Sequence, residues 1–235
     1  MKVMIWGATG MVGQGVLREC LLAADVTSVI AVGRAAPVVT HPKLHSIVHG
    51  DLLRYDNDDN DDALADALGG VDAAFFCLGV SSLGMSEQRY KTITHDMTMA
   101  AAVALAQASP QATFVYLSGA GADSAQRSRT MWERVRGGTE NALRRLPLKA
   151  VYIIRPGLIQ ATHGARSKTA LYRRIYVVLG PLLALLRPLA PRAILTTEGI
   201  GLAMLNLARR GFAKPILEAG DIYDASRPPA SPAKS

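Results

Sequence analysis

Cysteine is scarce in this chain. Only Cys20 and Cys77 occur among the 235 residues, far apart and without a C-x-x-C pair or a cluster of cysteine and histidine. This spacing gives no support to a disulfide framework or a zinc-type site, since both need such residues at short intervals. Both cysteines lie in apolar surroundings, so we expect buried free thiols, no disulfide and no bound metal.

Long apolar runs are also missing. The chain starts with MKVMIWGATG, which enters a glycine-rich turn directly, so we predict no secretory signal peptide. The uncharged run 175–186 is too short to span a bilayer. With 49% hydrophobic and 19% charged residues, the composition is typical of a globular chain with one large core. We therefore expect a cytoplasmic protein.

Negative charge is absent from one long part of the chain. Residues 141–197 contain ten lysines or arginines and no acid, whereas residues 51–66 contain seven aspartates. A basic face suits phosphate groups, an anionic membrane surface or nucleic acid, and it is equally typical of a solvated surface. Because no nucleic-acid motif accompanies the basic stretch, we predict no nucleic-acid partner.

Short β-branched or apolar runs alternate with longer helical patterns. Such alternation predicts a doubly wound α/β fold, a Rossmann-like parallel sheet with helices on both faces. The predicted strands are 2–7, 28–33, 44–50, 71–79, 112–119, 149–157 and 214–219, and the predicted helices are 11–23, 61–68, 87–108, 129–146 and 196–211. We expect a single domain over 1–223, with a small substrate or lid region at 158–195 and a disordered tail over 224–235.

The first crossover contains a glycine pattern typical of dinucleotide binding. After the first strand comes GATGMVGQG, with Gly7, Gly10 and Gly13 at the start of a helix. Gly7 permits a tight turn, Gly10 lets the backbone approach a pyrophosphate, and Gly13 allows close packing of helix and sheet. The helix N-terminus offers backbone amides to the phosphates. The predicted cofactor site therefore also includes Thr9, Met11 and Val12.

The end of the second strand indicates which dinucleotide binds. It reads Gly33 and Arg34, where NAD-preferring sites tend to place an acid that holds the ribose 2′-hydroxyl. A guanidinium suits a 2′-phosphate, so NADP(H) is favoured over NAD(H), although an ordinary surface arginine would give the same pattern. The further predicted cofactor contacts are Asp51 and Leu52 at the adenine, and Leu78, Gly79 and Val80 near the central ribose.

Six motifs occur in a fixed order over roughly residues 1–220: GATGMVG, VGR, GDL, FFCLG, YLSGAGAD and IIRPG. In this combination the chain resembles an atypical member of the short-chain dehydrogenase/reductase superfamily. It is similar to the HIV Tat-interactive-protein-like oxidoreductases and to bacterial proteins labelled NAD-dependent epimerase/dehydratase. The resemblance implies that Ser118 polarises a substrate carbonyl, and that Arg155, Pro156 and Gly157 form the turn covering the nicotinamide.

Tyrosine and lysine are missing where the resemblance implies a catalytic pair. Active members carry Tyr-x3-Lys on one helix face; the tyrosine exchanges a proton, and the lysine binds the nicotinamide ribose and lowers the tyrosine pKa. Here these positions hold Trp132 and Arg136, and no tyrosine in the chain has a lysine four residues later. An indole cannot exchange a proton near neutral pH, whereas Arg136 could still bind the ribose hydroxyls.

Two classes of function stay open. An NADP(H)-dependent oxidoreductase or epimerase-like enzyme acting on a small carbonyl substrate would need a relocated acid. A non-catalytic NADPH-dependent regulatory or protein-interaction module would need none. The apolar segment 169–191 has a basic edge, and we expect it to cover the substrate pocket, with a homodimer interface and a membrane-surface helix as alternatives. Candidates for a relocated acid, by chemistry alone, are Tyr90, His95, His163 and Tyr172.

Overall fold

The computed structural model describes residues 1–55, 62–165, 185 and 187–228. Its centre is a parallel sheet of seven strands: β1 (Lys2–Trp6), β2 (Ser28–Gly33), β3 (Leu44–Val48), β4 (Ala73–Phe76), β5 (Thr113–Leu117), β6 (Ala150–Arg155) and β9 (Ile216–Glu218). The spatial order is β3-β2-β1-β4-β5-β6-β9. Because the order reverses between β1 and β4, the carboxyl ends of these strands border the crevice where doubly wound folds bind ligands.

Helices cover both faces of the sheet, which confirms the predicted Rossmann-like architecture. They are α1 (Met11–Leu22), α2 (Asp62–Leu68), α3 (Glu87–Lys91), α4 (Met97–Ala108), α5 (Met131–Leu143), α6 (Thr197–Arg210) and α7 (Ala219–Ala225). All seven predicted strands are present, but several are shorter than predicted. The run 71–79, for example, forms a strand only over Ala73–Phe76.

The side chains of β1 alternate between two apolar layers. Val3 and Ile5 join the layer that contains α1 and α6, and Met4 and Trp6 join the opposite layer with α2, α4 and α5. All four side chains are fully buried. This burial on both faces explains why the strand reads as a continuous apolar run rather than as an alternating one.

The predicted helix 87–108 contains a π-helical turn, Thr92–Asp96, between α3 and α4. Thr94 is buried within this turn, and its hydroxyl oxygen has no hydrogen-bond partner among the described residues. Single π turns inside helices recur at functional sites. Apolar periodicity did not indicate the turn, because one wider turn shifts the pattern by only a single residue.

The C-terminal third differs from its prediction in two places. A parallel pair of short strands lies at the two ends of the predicted lid region: β7 (Leu158–Gln160) begins it, and β8 (Ile194–Thr196) ends one residue beyond it. The predicted tail boundary at 224 is wrong, because α7 continues to Ala225, which is buried. Asp224 also forms an ion pair with Arg192, with 2.6 Å between the guanidinium and the carboxylate.

The helix predicted over 196–211 is present as α6, and the Thr196 hydroxyl caps its start by accepting a hydrogen bond from the Gly199 amide at 2.9 Å. Most of the segment 169–191 lies outside the described residues, as do residues 229–235 of the predicted tail. In the part of the chain that the structure covers, no helix has the length and apolarity needed to cross a bilayer.

Both cysteines are free and buried, as predicted. Burial raises the pKa of the Cys77 thiol to about 12, and it also raises the pKa of Cys20. Because the thiolate is the reactive species, we expect native protein at about pH 8 to react with dithionitrobenzoate at least about a hundredfold more slowly than urea-unfolded protein. Rapid labelling of two thiols in the native protein would contradict this burial.

Candidate cofactor and catalytic site

The loop between β1 and α1 is shaped by its glycines. Gly7 has a φ of +79°, and a side chain there would lie 2.7 Å from the Leu78 backbone nitrogen. A Cβ at Gly13 would lie 2.0 Å from the Gly7 carbonyl oxygen, so the helix can start this close to the loop only with glycine. Gly10 differs, because its nearest neighbour would be 3.3 Å away. Gly10 therefore faces the more open side of the loop.

The N-terminus of α1 presents unpaired backbone amides beside this loop. The Gln14 amide is the first to find an acceptor in the helix, the Gly10 carbonyl oxygen at 2.8 Å. The amides of Met11, Val12 and Gly13 precede it and have no intrahelical acceptor. Together with the positive end of the helix dipole, they suit a pyrophosphate. The Gln14 side chain donates to the Thr9 carbonyl oxygen at 3.1 Å and so helps to fix the loop.

The carboxyl ends of β2 and β3 lie beside the glycine loop. Arg34 is exposed there and forms no hydrogen bond or ion pair with another described residue. Asp51 is also exposed, and its carboxylate accepts from the Leu53 amide at 3.0 Å. Leu52, in contrast, is buried in the apolar layer with Trp6, and its contact with the adenine stays a prediction. Among the described residues, Arg34 is therefore an exposed cation without a partner at the end of β2.

The end of β4 adjoins the glycine loop directly. The Cys77 amide donates to the Trp6 carbonyl oxygen at 2.9 Å, which continues the pairing of β4 with β1 beyond the last strand residue. Leu78 and Val80 are half-buried and Gly79 is exposed. The structure therefore brings these three predicted residues next to the glycine loop, where a cofactor's central part would lie.

Ser118, which follows β5, is engaged in a buried network. Its hydroxyl donates to Glu140 Oε1 at 2.5 Å, and both residues are buried. The other partners of Glu140 are Arg155, whose Nε is 3.0 Å from Oε1, and Ser124, whose hydroxyl is 3.3 Å from Oε2. Because an ionised carboxylate only accepts, the Ser118 proton points towards Glu140. In this geometry Ser118 does not offer its proton to a substrate carbonyl.

Glu140 is the residue that the sequence analysis missed. It lies on α5, and its side chain is completely buried. Its partner Arg155 ends β6 and also reaches Glu218 at 3.2 Å. The turn that follows β6 is tied to the end of β5, because the Pro156 carbonyl oxygen accepts from the Ala120 amide at 3.2 Å, while Gly157 is exposed. Glu140 therefore joins the two strand ends that frame the predicted catalytic region.

Trp132 and Arg136 lie on the same half-buried face of α5. The Trp132 ring packs against the loop after β5, where a side chain at Gly121 would lie 3.3 Å from its Cη2 atom. Arg136 Nε donates to the Tyr90 hydroxyl at 3.0 Å, and its Nη1 donates to the Leu117 carbonyl oxygen at 3.3 Å. Trp132 and Arg136 thus lie at the carboxyl end of β5, and the buried Tyr90 hydroxyl lies beside the Arg136 guanidinium.

The candidates for a relocated acid fall in different places. Tyr90 is buried and contacts Arg136, whereas His95 lies 2.8 Å from the Asp96 carboxylate on the π turn. His163 pairs with Glu198 at 2.9 Å on the surface near α6. Tyr172 lies outside the described residues. Tyr90 is therefore the only one of the three described candidates bonded to a residue of the predicted catalytic pair.

Two other features of the described residues bear on chemistry. Burial raises the pKa of Tyr116 to about 12, although the nearby Arg136 charge acts in the opposite direction, so this phenol keeps its proton at neutral pH. Within the ranges that the structure covers, no group of three or more histidine, cysteine or acidic side chains could hold a metal ion.

A cavity of about 750 Å³ lies along the outer face of α1. It is lined by the glycine loop at Thr9, by Arg18, by the segment after β2 and by residues 162–165. Neither Ser118 nor Arg136 lines it. The cavity therefore adjoins the cofactor loop but is separate from the predicted catalytic region.

The chain is similar in sequence or in fold to several known proteins. The chain is 27% identical over 163 residues to Protein FMP52, mitochondrial, of Chaetomium globosum, an alignment that covers 67% of this chain and 66% of that protein. It therefore spans about two thirds of that relative's length. Two solved structures have the same fold at 17% identity: MoeE5 in complex with UDP-glucose and NAD, and an oxidoreductase of the short-chain dehydrogenase/reductase family from Burkholderia thailandensis. The MoeE5 structure has a TM-score of 0.66, and its alignment covers 93% of this chain and 75% of MoeE5. The oxidoreductase has a TM-score of 0.64, and its alignment covers 95% of this chain and 92% of that protein.

These relatives correct one prediction and support another. Other similar proteins, from Aspergillus terreus and Meyerozyma guilliermondii, are also named mitochondrial, so the predicted cytoplasmic location is wrong by this comparison. The classification as an atypical short-chain dehydrogenase/reductase fits the structural neighbours. The family model described as NAD(P)H-binding matches residues 7–170. Since this match covers more than half of the chain, the protein belongs to the NAD(P)H-binding family.

Proposed function

We propose that the protein binds NADP(H) in preference to NAD(H). The observation that carries this proposal is Arg34, an exposed guanidinium without a partner among the described residues, at the place where an acid would hold the 2′-hydroxyl of NAD. The unpaired amides at the start of α1 would hold the pyrophosphate. A 2′-phosphate would then give Arg34 a charged partner that NAD cannot supply.

We expect NADPH to bind about ten- to a hundredfold more tightly than NADH, because a hydrogen bond to a charged group contributes roughly 1.5 to 3 kcal/mol. Arg34→Ala should remove this preference and leave NADH binding unchanged. Calorimetric titration with NADPH and with NADH measures the two affinities in the parent and in the variant. Arg144→Ala, which removes an exposed arginine beyond the end of α5, is the matched control. Equal affinities in the parent protein, or a preference that survives in Arg34→Ala, would exclude this role.

We further propose an oxidoreductase or epimerase-like activity on a small carbonyl substrate. Bound NADPH would supply a hydride from nicotinamide C4 to the carbonyl carbon. The chain would contribute Arg136 at the ends of β4 and β5, where its free N–H groups stabilise negative charge on the substrate. The proton would come from a group other than Trp132, and the Tyr90 hydroxyl, which accepts a hydrogen bond from Arg136, is the phenol bonded to this pair.

A non-catalytic NADPH-dependent regulatory or protein-interaction module is the second candidate. It is favoured by two observations: an indole occupies the acid position, and the Ser118 proton is directed to Glu140. Single-turnover measurement of NADPH oxidation with a panel of ketones, aldehydes and oxo acids separates the two functions. Both require NADPH binding, but only the enzyme oxidises the bound cofactor when a substrate is added.

A further inference from the structure

Arg136 forms no ion pair with a described carboxylate, although the charge of Glu140 acts on its guanidinium from a greater distance. Its two hydrogen bonds go to neutral acceptors, the Tyr90 hydroxyl at 3.0 Å and the Leu117 carbonyl oxygen at 3.3 Å. Glu140 follows one helical turn later, at the spacing that favours an ion pair on a helix. That carboxylate instead pairs with Arg155. In the described part of the chain this half-buried guanidinium is thus hydrogen-bonded only to neutral groups, with no carboxylate in direct contact.

The free part of this guanidinium faces the ligand-binding edge of the sheet. A Cβ at Gly79 would lie 3.7 Å from Arg136 Nη2, and one at Gly119 would lie 3.9 Å from its Nε. The group therefore lies between the residues that follow β4 and those that follow β5. Its two internal bonds use two of its five N–H donors, which leaves three, including both on Nη2.

Tyr90 fixes the orientation of this group. Its ring is 1% exposed, so the hydroxyl that accepts from Nε is held by the core rather than by solvent. Two other arginines of this region already have partners, because Arg134 pairs with Glu87 and Arg155 with Glu140. The site thus offers one planar, pre-oriented cation with free donors.

We propose that Arg136 binds a carboxylate of the substrate, so that the substrate is an oxo acid or hydroxy acid rather than a neutral ketone or sugar. This inference rests on the proposed oxidoreductase function. A carboxylate matches the planar fork of a guanidinium and supplies a negative charge in direct contact with it. A phosphate would bring nearly two negative charges, and the neighbouring arginines are already paired. A substrate held by its carboxylate would also present the adjacent carbonyl carbon beside the cofactor.

The test compares phenylpyruvate with its methyl ester, which has the same shape without the charge. Equilibrium binding of each to the NADPH-loaded and cofactor-free protein, and KM and kcat where turnover occurs, should be measured in the parent, Arg136→Met and Arg136→Lys. We expect the parent to bind phenylpyruvate at least about tenfold more tightly than the ester. In the NADPH-saturated protein, Arg136→Met should weaken phenylpyruvate binding about ten- to a hundredfold and change ester binding by less than about threefold.

Arg136→Lys keeps the charge without the fork and should give an intermediate affinity for phenylpyruvate. Arg134→Gln, which breaks a more exposed ion pair on the same helix, is the control and should leave both ligands unaffected. Circular dichroism melting shows whether each variant is folded. If acid and ester bind alike, or if Arg136→Met weakens NADPH instead, Arg136 is not the carboxylate receptor. If phenylpyruvate binds through Arg136 but no cofactor is oxidised with any substrate, the receptor stands and the oxidoreductase proposal fails.

Discussion

Gly10→Val should reduce NADPH affinity at least about a hundredfold while the protein remains folded. The backbone at Gly10 has φ −76° and ψ 165°, an extended conformation that valine adopts readily. A Cβ there would approach only the Gly7 carbonyl oxygen, at 3.3 Å, so the loop needs to move little. The branched side chain would instead occupy the open side of the loop, where the pyrophosphate must approach the backbone.

Gly13→Val makes the contrasting control for this prediction. Its Cβ would lie 2.0 Å from the Gly7 carbonyl oxygen, so the start of α1 would have to move and the protein should lose stability. Fluorescence titration with NADPH, together with circular dichroism of each variant, measures both effects. A folded Gly10→Val protein that still binds NADPH normally would show that the glycine loop is only a structural turn.

Glu140→Ala should lower the free energy of unfolding by about 3 to 5 kcal/mol, the cost of removing one partner of a buried ion pair. Glu140 is fully buried and accepts hydrogen bonds from Ser118, Ser124 and Arg155. Without it, the Arg155 side chain, which is only 13% exposed, keeps its charge next to buried polar groups that have lost their acceptor. Urea unfolding of the parent and the variant measures the difference.

Glu87→Ala is the matched control, because Glu87 also pairs with an arginine but is 52% exposed. A surface ion pair of this kind contributes at most about 1 kcal/mol. Glu140→Gln keeps the size and one acceptor oxygen and should fall between the two. If Glu140→Ala unfolds with the same free energy as Glu87→Ala, the network around Ser118 does not hold the strand ends together.

The fold and the cofactor loop were predictable because they depend on local patterns. Continuous apolar runs indicated strands buried on both faces, and Gly7, Gly10 and Gly13 had the spacing that a strand, turn and helix require. The positions of Trp132 and Arg136 followed from the order of the motifs. Arg34 was located at the end of β2, where the structure places it with an exposed side chain.

The polar connections of the site were not predictable, since they join residues distant in the sequence. Glu140 was an unremarkable acid on a helix, and its pairing with Arg155 depends on how α5 packs beside β6. The same packing directs the Ser118 proton to Glu140, whereas the resemblance implied that Ser118 polarises a substrate carbonyl. The burial of Leu52 beside Trp6 was not predictable either, because a leucine after a strand can face the cofactor or fill the core. A faint signal for Glu140 did exist, as it is the last acid before the long basic stretch 141–197.

A crystal structure of the protein with NADPH tests the cofactor site most directly. We predict that the pyrophosphate accepts hydrogen bonds from the amides of Met11 and Val12, that the 2′-phosphate contacts Arg34, and that the nicotinamide end lies beside Arg136. A 2′-phosphate turned away from Arg34 would contradict the preference for NADP(H). A dinucleotide bound anywhere other than the N-terminus of α1 would contradict the site as a whole.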